Sequence, residues 1–111
     1  MLVGFSSPFG GKTRTRVLLA LRLIMESFPR ELSRVLSAPL SGVQQALRSL
    51  EADGLVVGRL MGRTRLCRIN PRYFAQRELS SYLLRLAEAE GELRDRIEAL
   101  RRRPRRSGKP L

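Results

Sequence analysis

The chain has 111 residues, enough for one modest hydrophobic core and too few for two. It carries 22 Lys and Arg against 10 Asp and Glu and no His, a net charge of +12, so its partners are expected among polyanions, either nucleic acid or an anionic membrane surface. One Cys, Cys67, and no His leave no parts for an intrachain disulfide, a zinc site or a Ser-His or Cys-His nucleophile, and neither a cofactor, a metal nor an enzymatic activity is expected.

No apolar run reaches the roughly 18 to 20 residues that span a bilayer, and the N-terminus lacks the charged start and apolar core of a signal peptide. A soluble, cytoplasmic protein with no membrane partner is the expectation. Residues 1–12 read as a flexible arm. Within and just beyond it, SSPFGGKT (Ser6 to Thr13) resembles a phosphate-binding P-loop, but Ser6 stands where the first glycine belongs and no buried strand leads into it. Lys12 and Thr13 are instead assigned to the start of the first helix.

From Thr13 to Ser27, Val17, Leu18, Leu21, Ile24 and Met25 fall at helical spacing, with Arg14, Arg16 and Arg22 on other faces. Pro29 suits the first turn of a second helix, about two turns long, which places Leu32, Val35 and Leu36 on one side and stops before Pro39. After a tight turn from Ser37 to Leu40, a third helix is expected with Ser41 as N-cap and Gly54 as its stop. Val43, Ala46, Leu47 and Leu50 form its inward stripe, and Gln44, Gln45, Arg48 and Ser49 turn away from it. Two short helices joined this way match a helix-turn-helix. The outward residues are of the types that read base edges, Gln for adenine and Arg for guanine.

Beyond Gly54 the period changes to that of strands. LVVGRL (Leu55 to Leu60) and RLCRI (Arg65 to Ile69) flank a short loop of Met61, Gly62, Arg63 and Thr64, and Asn70 and Pro71 close the hairpin. Arg59, Arg63, Arg65 and Arg68 lie on or beside it, and Cys67 shares strand parity with Ile69, which reads as a small buried apolar residue.

Residues 13 to 71 resemble a winged helix-turn-helix domain of the ArsR or MarR kind found in bacterial and archaeal regulators. LSGVQQALRSLEADGLV, MGRTR and RINP carry the resemblance. It implies that the third helix enters the major groove while the wing touches phosphate or the minor groove. Ser41, Gln44, Gln45, Arg48 and Ser49 then become candidates on the recognition helix, and Arg59, Met61, Gly62, Arg63 and Arg65 candidates on the wing. ArsR-type metal sensors use clusters of Cys, His or carboxylates, for which one Cys and no His are a poor match.

From Ala75 to Arg101 one long helix is expected. Leu79, Leu83, Leu86, Leu93, Ile97 and Leu100 alternate by four and three, a heptad seam interrupted by Glu90 and weakened at Gly91. Such a helix would run about 40 Å, more than the domain can cover, so its stripe is assigned to a homodimer interface; the alternative is a break near Gly91 that folds the helix back on its own domain. Residues 102–111 continue as a basic tail rich in Pro and Gly. Net charge is +8 over residues 1–75, −2 over 76–100 and +6 over 101–111.

The expected architecture is mainly α with a small β-hairpin (α+β): a reading domain over 13–74, a dimerisation helix over 75–101, and an arm and tail at the ends. The expected function is a homodimeric regulator of transcription that binds double-stranded DNA sequence-specifically, with any effector ligand unidentified. An architectural DNA-binding protein with little sequence preference, or a winged-helix module for protein or RNA, would need the same surface.

Overall fold

The computed structural model describes residues 9–102. In chain order these form α1 (Lys12–Ile24), α2 (Pro29–Leu36), α3 (Leu40–Ala52), β1 (Val56–Met61), β2 (Thr64–Ile69), α4 (Gln76–Ala87) and α5 (Gly91–Arg102). The described chain is thus mainly helical with a small antiparallel hairpin.

Five consecutive residues of α1, Val17 to Leu21, are buried. A helix apolar on nearly every side has to be central, and α1 touches α2, α3, α4, α5 and β2. It ends three residues earlier than its periodicity suggests, with Met25 turning to φ 85°. The residue it gives up, Ser27, joins the sheet edge instead: its N–H donates to the Cys67 carbonyl at 3.0 Å and its carbonyl accepts from the Cys67 N–H at 2.8 Å.

Pro29 begins α2, where its missing N–H costs nothing, and Leu32, Val35 and Leu36 are its buried face. Ser37 ends the helix in the left-handed conformation (φ 53°, ψ 45°). The Ser33 hydroxyl then donates to the Ala38 carbonyl at 2.6 Å, which holds the turn into α3. Pro39, not Ser41, occupies the N-cap of α3, and no side chain caps it; Ser41 sits in the first helical turn and is exposed. Pro39 is extended there (φ −60°, ψ 141°) with its φ held by the ring, so the chain enters the helix without a hydroxyl cap. The stop at Gly54 is as expected, with φ 80°.

The hairpin turn is tighter than the four-residue loop expected. Met61 pairs with Thr64, leaving Gly62 and Arg63 as a two-residue turn, and Gly62 supplies the positive φ (67°) that such turns need. Asn70 anchors the far end: its side-chain amide donates to the Gly54 carbonyl at 2.9 Å, and its N–H to the Leu55 carbonyl at 2.9 Å.

The stretch expected to be one long helix is two. Three i to i−3 hydrogen bonds, Glu88 to Arg85, Ala89 to Leu86 and Glu90 to Ala87, tighten the end of α4, and α5 begins at Gly91 and returns onto α1 and α2. Energetics favour the break. It forfeits a few backbone hydrogen bonds at about 1 kcal/mol each, at a glycine that holds a helix poorly. It buries the Leu93 and Ile97 side chains, each worth roughly 1.5 to 3 kcal/mol, and partly covers Leu100. Consequently Leu79, Leu83, Leu93 and Ile97 are buried in the chain's own core, and Leu86 and Leu100 pack partly buried against it. The assignment of this stripe to a dimer seam is therefore corrected: the chain itself covers it, and 75–101 is not a helix standing apart from the preceding residues.

The expected flexible arm is corrected at its inner end. Phe9 packs on the core, meets Tyr82 edge-on with ring centres 5.8 Å apart, and its carbonyl accepts from Arg14 Nε. Residues 1–8 and most of the expected tail, 103–111, lie outside the described residues.

Candidate nucleic-acid interface

The inward stripe of α3, Val43, Ala46, Leu47 and Leu50, is buried, and the helical period then forces Gln44, Gln45, Arg48 and Ser49 outward, where all four are exposed. The first turn of α3 adds exposed Ser41. Beside α3, the hairpin turn projects Met61, Gly62 and Arg63, all exposed. An open groove of about 500 Å³ separates the two, lined by Gln44 and Arg48 of α3, Arg63 and Arg65 of the hairpin, Glu51, and Pro29 at the start of α2.

These residues divide into two sets. Arg48 and Arg63 have no ion-pair partner among the described residues, and Gln44 and Gln45 make no hydrogen bond through their side chains there. Arg65, by contrast, is engaged. It lies on the same strand face as Cys67 and Ile69, the face turned toward the helices, and its Nη2 donates to Glu51 Oε1 of α3 at 3.0 Å. Gly58 makes that reach possible. It is the diagonal neighbour of Arg65 across the strand pair, and a Cβ built on it would stand 2.7 Å from Arg65 Nη2. Arg65 therefore holds the hairpin against α3 and is a positioning residue, not the free surface cation that the sequence suggests.

Ser49 is engaged as well. Its hydroxyl accepts a hydrogen bond from Arg14 Nη1, while Arg14 Nη2 pairs with Asp53 Oδ2 at 3.0 Å. One guanidinium on α1 thus pins the C-terminal end of α3. Arg59 lies on the outward strand face, exposed, with its Nη1 against the Met61 sulfur at 3.4 Å. Arg30, which sequence reasoning did not select, is exposed and follows Pro29, which lines the groove; its place in the first turn of the short second helix was the available signal.

Further back, arginines finish the helix ends. Arg16 Nη1 donates to the Leu36 carbonyl at 3.3 Å, and Arg96 Nη1 to the Val35 carbonyl at 3.0 Å and Ser37 Oγ at 2.9 Å. These carbonyls close α2, where unsatisfied acceptors and the helix dipole both favour a cation. The turn that aims α3 is in this way held from α1 and from α5.

Cys67 lies beneath the groove, 1% exposed and unpaired. Burial and the nearby Glu51 carboxylate push its thiol above the ordinary value, against an opposing pull from Arg65. A thiol so placed is a packing group and not a reactive thiolate. Among the described residues, no three His, Cys, Asp or Glu stand together in a way that would hold a metal ion, and no helix is long and apolar enough to cross a membrane.

The chain matches no protein-family model and no curated protein.

Proposed function

We propose that this chain is a winged helix-turn-helix regulator of transcription that binds double-stranded DNA sequence-specifically, with α3 as its recognition helix in the major groove and the β1–β2 hairpin as its wing. One observation carries the reading: Gln44 and Arg48 on α3 and Arg63 at the hairpin turn line one open groove, and Gln45 is exposed on the same helix, all without internal partners among the described residues. Exposed amides and guanidinium groups on one helix face are the parts that pair with adenine and guanine edges, and a cation on a neighbouring hairpin suits phosphate. The net charge of +12 adds attraction to any duplex.

The protein is proposed to act as a homodimer. A single small module buries little surface on DNA, whereas two related by a two-fold axis read half-sites about 10 base pairs or a multiple apart. The pairing surface is then not the leucine stripe, which the chain spends on itself.

Fluorescence anisotropy with a labelled duplex tests this reading. Binding is expected to weaken as salt rises, with log K falling by about 0.9 per phosphate neutralised, and Arg63→Ala is expected to lower that slope by about one such unit. No measurable binding to duplex DNA at low salt would overturn the proposal.

A further inference from the structure

A second groove lies on another side of the molecule, between the end of α1, the end of β2 and the start of α4. It measures about 410 Å³ and shares no lining residue with the groove beside α3. Its polar lining consists of Arg22, Arg68 and Arg77 together with Gln76, Ser80 and Ser81, over apolar Leu21 and Ile69.

Three features of this lining are unusual. Arginines from three different elements converge, although like charges repel and nothing in the packing of α1 against α4 requires it. No carboxylate answers them: all ten Asp and Glu lie between residues 26 and 98, none of the ten lines the groove, and residues 1–8 and 103–111 contain none to bring there. Finally, Arg22 Nε is buried with no hydrogen-bond partner among the described residues, and that guanidinium makes only a weak hydrogen bond there, from Nη1 to the Met25 sulfur at 3.8 Å. A buried guanidinium N–H without an acceptor is a cost that a chain seldom carries without a reason.

Such a lining suits an anion with several acceptor oxygens. The geometry points to a phosphate-binding site in this groove, in which Arg22, Arg68 and Arg77 supply the charge and Ser80 and Ser81 supply hydroxyl donors. Gln76 supports the arrangement: its side-chain amide donates to Ser80 Oγ at 3.2 Å, so that the Ser80 proton is left to point at the ligand. Guanidinium forks match phosphate oxygens better than a point charge does, and the apolar floor strengthens each contact by keeping water away. The phosphate has two possible sources, a small phosphorylated ligand or the backbone of bound DNA. The site does not depend on the proposed function, since a small ligand would be bound whether or not the chain binds DNA.

The experiment uses the full chain and has two arms. In the first, pyrophosphate is titrated at constant ionic strength by calorimetry, with Ser80 and Ser81 amide shifts followed by NMR. In the second, duplex affinity is measured against salt. The variants are Arg68→Ala and Arg77→Ala, both at exposed positions, with Arg63→Ala as the control for the pyrophosphate arm alone, Arg85→Ala, exposed and outside both grooves, as the control for the duplex arm, and circular dichroism confirming the fold. A small-ligand site gives saturable binding of pyrophosphate, weakened tenfold or more by either groove variant, unaffected by Arg63→Ala and not displaced by DNA. A DNA-phosphate site gives a salt slope lowered by about 0.9 in either groove variant, with DNA displacing any pyrophosphate bound. The proposal is overturned if neither arm distinguishes Arg68→Ala and Arg77→Ala from wild type.

Discussion

The α3–hairpin side and the α4–α5 side of the molecule are both rich in arginine, and they use it in opposite ways. On α5, Arg96 closes the end of α2 and pairs with Glu92 at 3.1 Å, Arg101 donates to the Leu23 carbonyl at the end of α1, and Arg102 pairs with Glu98. On α3 and at the hairpin turn, Arg48 and Arg63 face solvent with no ion pair among the described residues. The difference lies in the supply of acceptors. Six of the ten carboxylates fall between residues 78 and 98, and the C-terminal carbonyls of α1 and α2 face α5. The residue type is the same on both sides, but Arg96, Arg101 and Arg102 of α5 are engaged within the chain, whereas Arg48 and Arg63 keep their charge for a partner.

The comparison breaks most visibly if α5 is not part of the core. Leu93→Ala is expected to cost about 2 to 5 kcal/mol in urea denaturation, because Leu93 is 1% exposed. Leu84→Ala, at a position 42% exposed, is expected to cost less than about 0.5 kcal/mol. If Leu93→Ala instead left monomer stability unchanged while abolishing a dimer, the stripe would be an interchain seam after all.

A second pair of substitutions separates spent from unspent arginines. Arg48→Ala is expected to weaken binding to a preferred duplex by about 1 to 3 kcal/mol and to leave stability nearly untouched. Arg96→Ala is expected to do the reverse, costing about 1 to 2 kcal/mol of stability by orphaning acceptors at the end of α2, while changing DNA affinity little once the protein is folded. Anisotropy and denaturation on both variants decide between these outcomes.

Gly58→Ala sharpens the distinction within the hairpin. The new methyl displaces the Arg65 guanidinium, a flexible end that is able to move, so the stability loss is expected to stay below about 1 kcal/mol, the range of an exposed ion pair. The sharper readout is a double-mutant cycle: Glu51→Gln should matter in wild type and add nothing in the Gly58→Ala background. Additive losses would mean that Arg65 does not tie the hairpin to α3.

The smallest effect expected concerns Cys67. Its thiol is raised above the ordinary 9.0 by burial, so the unfolded chain ionises first as pH increases. The resulting stability is fully present below pH 9 and is lost as pH rises from there toward the folded value. Cys67→Ala should therefore flatten the decline in stability above pH 9, and identical slopes for the two proteins would contradict the assignment.

Elements whose signals are local were legible in the sequence. Pro29 at the first turn of α2, the inward stripe of α3, Gly54 at its stop and the strand parity of Cys67 all follow from spacing or backbone chemistry, and the structure places each as expected. Features decided by tertiary competition were not. The stripe from Leu79 to Leu100 has the spacing of a seam whether it faces a second chain or its own core; its length and Gly91 did not settle which. Capping by Ser41 lost to Pro39, whose φ is fixed by its ring and which turns the chain into α3 two residues earlier. Arg65 and Arg63 look alike as wing arginines, yet parity puts Arg65 on the Cys67 side, a clue that becomes decisive only once Gly58 and Glu51 are placed beside it. The second groove was invisible because Arg22, Arg68 and Arg77 belong to three elements whose packing brings them together.

The central claim, that the α3 face reads base sequence, is tested most directly by selection from a random pool of duplexes with purified wild type and Arg48→Ala in parallel. Wild type should enrich a defined motif, arranged as two half-sites about 10 base pairs or a multiple apart, with Arg48→Ala losing preference at a guanine and retaining the rest. A flat pool, or the same motif enriched equally by both proteins, would contradict base reading by α3 and leave the basic surface as a binder of DNA without sequence preference.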